Sequence, residues 1–271
     1  MKSSIIYDGG GMQGSYMAGI LAEFQDRGIK AETWGLHVGT SAGAFCAAYF
    51  ISGQLEEGLR IWEKHLTKGF ISWKNFHPYY DLSYLKRIIT EIEPLNLLKL
   101  SKSKSQLIVS LTKPGSNRTN YVNLTKVKNP IDVLLACCSA PFLSEPMSLN
   151  GKIFYDGGFT AQPPIGYPGL KKIKNKTVLL TYPRGFRLKE WAWQAASLIL
   201  LTQPKLKAMV AKTARFGNAS LNTIERDKNY TVIQPDLILP GGWLNINPKL
   251  MSKNVRLGRK AAKKFIIDRN L

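Results

Sequence analysis

The sequence predicts an α/β fold, and three observations carry that expectation. Segments of strand character alternate with segments of helical periodicity through the first half of the chain. Two of these alternations form successive units of strand, glycine-containing turn and helix. No internal repeat or low-complexity linker divides the 271 residues, so residues 1–271 are expected to form one domain.

In the first unit, residues 4–7 are a short run rich in β-branched and aromatic side chains, a glycine turn spans 9–14, and Met17, Ile20, Leu21 and Phe24 recur with helical spacing over 16–24. Gly28 stands where a helix commonly ends. The second unit has a strand through Trp34, Leu36 and Val38, the turn Gly39-Thr40-Ser41-Ala42-Gly43, and a small-residue helix over 44–50. Helices follow over 56–65 and from Asp81, an N-cap, through Leu82, Leu85, Ile88, Ile89 and Ile92. Residues 106–112 and 120–124 flank Pro114-Gly115-Ser116-Asn117 and read as a hairpin or a pair of sheet strands. Pro130 opens an apolar helix through Leu134, Leu135 and Ala136. Residues 185–271 are expected to be mostly helical, a lid or cap followed by a basic C-terminal helix.

Composition narrows the partners. Lys and Arg number 38 against 18 Asp and Glu, a net charge of +20, which favours an anionic partner such as an acidic membrane surface or nucleic acid. Residues 94–131 and 157–189 contain no Asp or Glu. Three cysteines, two of them the adjacent Cys137 and Cys138, provide neither a disulfide framework nor a C-x-x-C site. They read as buried or incidental thiols of a reducing compartment. The first residues carry no apolar secretory core, and the longest apolar stretch, 191–201, falls well short of the roughly 20 residues that cross a bilayer. A cytoplasmic protein with peripheral contact at an anionic membrane surface is expected.

The turn Gly39-Thr40-Ser41-Ala42-Gly43 satisfies G-x-S-x-G, in which small neighbours let a strained strand-to-helix turn present a serine hydroxyl. The plainer reading is a small-residue turn; the strand before it and the helix after it favour the functional one. A nucleophilic serine needs a base, and the histidines are His37, His65 and His77. None follows His77, so the hydrolase order of serine, acid and histidine is not available. His37 reads as a packed strand residue, His65 as part of a polar helix and His77 as part of an aromatic loop. A carboxylate acting directly on the serine remains as the economical solution. Asp156, at the end of the strand-like Ile153-Phe154-Tyr155 and followed by Gly157 and Gly158, is the candidate. By itself Asp-Gly is most often a plain turn.

The glycine turn Gly9-Gly10-Gly11-Met12-Gln13-Gly14 has two readings. It matches G-x-G-x-x-G, with Glu32 at the distance of a ribose-binding acid, as in a dinucleotide site. It also offers successive backbone N–H groups at a helix N-terminus, which suit an oxyanion hole. Neighbouring turns of a parallel sheet open on the same edge, so this turn and Ser41 can share a site.

Asp8-Gly9-Gly10-Gly11-Met12-Gln13-Gly14, Gly39-Thr40-Ser41-Ala42-Gly43 and Asp156-Gly157-Gly158, in that order, resemble the patatin-like phospholipases. Ser139-Ala140-Pro141 is similar to a stretch the family carries before its D-G-G. The resemblance covers residues 4–165. It implies a three-layer α/β/α sandwich with a mainly parallel central sheet. It also implies Ser41 as nucleophile, Asp156 as general base and the backbone of Gly10 and Gly11 as oxyanion hole, with Gly9, Gln13, Gly14, Gly39, Gly43, Gly157 and Gly158 supporting the motifs. The implied activity is hydrolysis of lipid esters, of phospholipase A or lysophospholipase type. No metal or organic cofactor is expected. A nucleotide- or phosphate-binding protein and a lipid acyltransferase are the alternatives. One departure stands out, since family members commonly carry Arg or Lys where this chain has Gln13.

The segment 189–201, with Trp191, Trp193 and flanking cations, has the composition of an interfacial helix or of a lid, and core or lid packing is its default reading. The C-terminal helix places Met251, Val255, Ala262 and Phe265 on one face and Lys253, Arg256, Arg259, Lys260, Lys263 and Lys264 mostly on the other. No zinc-finger spacing or RNP-like pattern supports nucleic-acid binding.

Overall fold

The computed structural model describes residues 3–67, 69–74 and 77–269. The first unit is strand β1 (Ser3–Tyr7), a turn and helix α1 (Gly14–Asp26). The second is β2 (Leu36–Gly39) and α2 (Ser41–Ile51). Helix α1 ends where Gly28, at φ +73°, turns the chain and its N–H reaches back to the Gln25 carbonyl. Helix α3 (Leu55–Arg60) is prolonged by a wider turn to His65, and the antiparallel pair β3 (Ile71–Lys74) and β4 (His77–Tyr80) follows. His77 therefore lies in a short ladder rather than in a loop. At the start of α4 (Leu82–Arg87) the Asp81 carboxylate accepts the Tyr84 N–H, the cap expected from the sequence. Helix α5 (Leu97–Lys102) leads to β5 (Gln106–Thr112), which pairs antiparallel with β6 (Thr119–Asn123) as one of the two readings required. Helix α6 (Pro130–Cys138), β7 (Met147–Leu149) and β8 (Lys152–Asp156) complete the region that carries the motifs.

Two strands come from the later part of the chain: β9 (Asn175–Leu179) pairs parallel with β1, and β10 (Tyr230–Ile233) pairs parallel with β9. Between and after them lie α7 (Glu190–Ser197), α8 (Pro204–Arg226) and α9 (Pro248–Arg269). Among the described residues the main sheet has eight strands in the path β10-β9-β1-β2-β5-β8-β7, with β6 also on β5. The five strands from β10 to β5 are parallel, and β6, β7 and β8 are antiparallel additions.

Consecutive residues of β1 face opposite layers. Ile5 and Tyr7 pack into the larger core with α1, α2 and α9, whereas Ile6 joins Val38, Ile108 and Val178 under Leu221 and Ile224 of α8. The result is a three-layer α/β/α sandwich with a mostly parallel sheet. Each fully buried Ile or Leu contributes about 1.5–3 kcal/mol of transfer free energy, so both layers are held by the sheet's continuous apolar strands.

The segment 191–201 does not pack as a core helix. Trp191, Leu198, Ile199 and Leu201 are 55–71% exposed, and Leu200 is buried. A short helix followed by the single turn Leu198–Leu200 rests on the domain by one face, so the rest of its apolar surface meets solvent.

Candidate active site

Because β1 and β2 are parallel, the turns after Tyr7 and after Gly39 open at the same sheet edge. The β2 turn is sharp. Thr40 is extended, and Ser41 then takes φ +51°, a left-handed conformation costing roughly 1–2 kcal/mol in a residue with a Cβ. Small neighbours make this possible, since a Cβ at Gly43 would run into the Asp8 carbonyl oxygen at the end of β1. The strained turn leaves Ser41 partly exposed at the N-terminus of α2, between the buried Thr40 and Ala42.

Strand β8 brings Asp156 to this edge from the other side, opposite Leu111 of β5. Its Oδ1 accepts the Gly158 N–H at 2.8 Å and the Thr40 Oγ1–H at 3.2 Å. The carboxyl is almost entirely buried, and burial raises its pKa from 3.8 to about 6. Hydrogen bonding from the Ser41 side chain, the Gly158 amide and Thr40 opposes that rise. At neutral pH Asp156 is therefore an ionised, desolvated carboxylate beside a serine hydroxyl, able to accept its proton.

His37 and His65 make no hydrogen bond to either residue. His37 is fully buried, and burial lowers its pKa to about 4, so the ring is neutral. Its Nε2 lies 3.0 and 3.1 Å from the Ala31 and Trp34 carbonyl oxygens, which only accept, so Nε2 carries the proton and Nδ1 accepts from the Tyr7 hydroxyl at 2.8 Å. It is the packed strand residue the sequence led us to expect. His65 faces the Glu93 carboxylate, 3.3 Å away.

The glycine turn completes the edge. Gly10 at φ +133° and Gly11 at φ +53° occupy conformations that side chains disfavour. Among the described residues neither amide hydrogen-bonds to the protein. Buried Asp8 shapes this turn: its carboxylate accepts the Gly9 N–H at 2.8 Å, and on its other oxygen the Thr181 N–H and hydroxyl. Burial pushes the Asp8 pKa up to about 7, against those hydrogen bonds and with a smaller push from the charge of Asp156. The Met12 N–H donates to the Trp243 carbonyl at 3.0 Å, so a segment from the C-terminal third covers one flank of the turn. Gln13 is buried, its N–H bonded to the Gly10 carbonyl and its side-chain Oε1 without a partner. Gly14, Gly39, Gly157 and Gly158 all lie at this same edge.

Sequence reasoning assigned no role to Thr40, Thr181 or Gln162. The Gln162 side chain lies between Gly9 and Gly158, bridging two turns that are far apart in the chain. No local pattern marks such a residue. Beside Ser41 a cavity of about 30 Å³ is walled by Met12, Ala42, Phe45, Trp62, Leu66, Phe70, Tyr80, Leu85 and Cys138. That is room for one or two waters. Cys138 thus borders the site, a place the reading as an incidental thiol did not foresee.

The dinucleotide reading fails on topology. Glu32 is exposed in the turn Ala31–Thr33 before β2, at the sheet edge opposite the glycine turn, where it cannot meet a ribose held there.

A family model described as patatin-like phospholipase matches residues 5–168, more than half of the sequence. The chain belongs to the patatin-like phospholipase family. The glycine turn, Ser41 and Asp156 all lie inside the matched region. An uncharacterized Escherichia coli (strain K12) protein, YjjU, is 27% identical over 193 residues, 67% of this chain and 52% of that protein. This patatin-like chain thus spans about half the length of that relative. VipD from Legionella pneumophila shares the fold with a TM-score of 0.55 at 14% identity, over 98% of this chain and 67% of VipD. Among the described residues no helix is long and apolar enough to cross a membrane.

Proposed function

We propose that the protein hydrolyses carboxylic esters of lipids, as a phospholipase A or lysophospholipase, through a Ser41/Asp156 dyad. The observation that carries this reading is the meeting of a left-handed serine with a buried carboxylate whose pKa of about 6 leaves it ionised at neutral pH. The free Gly10 and Gly11 amides beside them add a place for negative charge to develop.

In the proposed reaction, Asp156 takes the Ser41 hydroxyl proton as Oγ bonds to the ester carbonyl carbon. The Gly10 and Gly11 N–H groups hold the oxyanion. As it collapses, the bond to the alcohol oxygen breaks and protonated Asp156 returns its proton to that oxygen, leaving an acyl-serine. Asp156 then takes a proton from water, which attacks the acyl carbon; the proton returns to Ser41 and the fatty acid leaves. No step calls on a histidine or a metal.

The test is ester release from phospholipid vesicles and from a soluble short-chain ester, with chelator present. Ser41→Ala and Asp156→Asn are each expected to lower kcat by about 10³-fold or more, and the double variant by no more than the worse single, because the two act as a unit. Turnover that survives Ser41→Ala would refute the proposal.

A further inference from the structure

We infer that the exposed apolar ridge of α7 and the turn after it, with the cations around it, is a docking surface for an anionic lipid bilayer. The choice of a lipid partner rests on the hydrolase reading above; the surface itself does not. Trp191, Leu198, Ile199 and Leu201 project from one short segment. This segment is tied to the active edge through Trp193, whose ring meets Phe159 edge-on at 6.0 Å, three residues beyond Asp156.

The surrounding charge is predominantly positive. The 113–118 turn leaves the C-terminal end of β5, at the same edge as Ser41, and packs at Gly115 against the Lys205 stem at the start of α8. Lys212 of α8 reaches the Asn117 side chain of that turn at 3.3 Å. Arg118, Lys189, Lys205 and Lys212 are exposed, and among the described residues none is paired with a carboxylate. Glu190 is the only acid between residues 157 and 224. Apolar side chains ringed by unpaired cations match the interface of an anionic membrane, with tails for the first and head groups for the second. On the other flank of the site, Leu237, Ile238 and Trp243 are exposed, so a bilayer seated here would meet apolar side chains on both sides of Ser41.

Docking is measured with the 271-residue Ser41→Ala chain, which separates binding from turnover, by co-sedimentation with vesicles of phosphatidylcholine alone or of equal phosphatidylcholine and phosphatidylglycerol. The anionic vesicles are expected to bind at least about tenfold more tightly, and rising salt to weaken them, a measurement that needs no further variant. Ile199→Ser with Leu201→Ser, and Arg118→Glu with Lys205→Glu and Lys212→Glu, should each weaken binding about tenfold. Lys263→Glu with Lys264→Glu, at the far end of α9, should change it less than about threefold. Patch variants that bind like the parent, a far-end variant that loses as much as they do, or equal binding to both vesicle types would each overturn the inference. A wild-type chain that binds anionic vesicles but hydrolyses nothing would refute the hydrolase reading and leave the docking surface standing.

Discussion

The two parts of the sheet are built on different terms. From β1 to β8 the site consists of tight turns, where small residues exist because neighbouring backbone and side chains leave little room for larger ones. From β9 onward the chain extends the same sheet by two strands, but its helices carry unpaired lysines and apolar side chains facing solvent. The turns of the first region tolerate almost no change in volume, while the solvent-facing helix faces of the second are free to vary. Chemistry resides where the chain is constrained, and the contact surface resides where it is not.

That contrast can be broken at the elbow first. Gly43→Ala adds one methyl where the Asp8 carbonyl already stands. We expect a loss of about 3 kcal/mol, in the upper range for overpacking, read as a lower midpoint in denaturant. A midpoint unchanged within error would show that the elbow has slack.

Asp156 provides the next test, because activity and stability ask opposite things of it. Its folded pKa, about 6, lies above the unfolded value near 3.8, so the folded state favours the protonated acid. Folding stability is therefore lost as pH rises from about 4 to 6, and the ionised carboxylate costs about 2–3 kcal/mol at pH 7. Asp156→Asn should raise Tm at pH 7, with the gain fading as pH falls from 6 to 4, while activity is lost. In the wild type, kcat/KM should fall about tenfold per pH unit below 6 as the base becomes protonated. A profile flat to pH 4.5 would remove Asp156 from the role of base.

The smallest effect is expected in the second region. Arg259 of α9 reaches both Glu23, which is buried, and Asp26, which is exposed, on α1. Arg27 also pairs with Glu23, so Arg259→Ala should cost only about 1 kcal/mol or less. A loss as large as that of Gly43→Ala would mean that α9 is as tightly constrained as the elbow.

Much of the site is legible in residue order. Gly9 to Gly14, Ser41 and Asp156 lie in short patterns whose strand and helix neighbours are themselves local, and parallel pairing of β1 and β2 then forces two of the turns to one edge. Strands β9 and β10 were harder to read. Their apolar runs, Val178-Leu179-Leu180 and Val232-Ile233, are brief, and they become strands because β1 offers an unpaired edge. The exposure of 191–201 was not legible either, since the same Trp and Leu spacing serves a core helix, a lid or an exposed ridge, and the default reading favours packing.

By itself, then, the sequence determined the α/β alternation, the order of the motifs and the absence of a histidine after His77. These follow from periodicity and from which residue types occur. Only the tertiary structure decided that Glu32 lies at the wrong edge for a ribose, that Thr40 and Gly158 hold Asp156, that Thr181 holds Asp8, and that the α7 ridge faces solvent. Each of these depends on what packs beside a residue from a distant part of the chain, and burial and hydrogen bonding are properties of that neighbourhood rather than of local spacing.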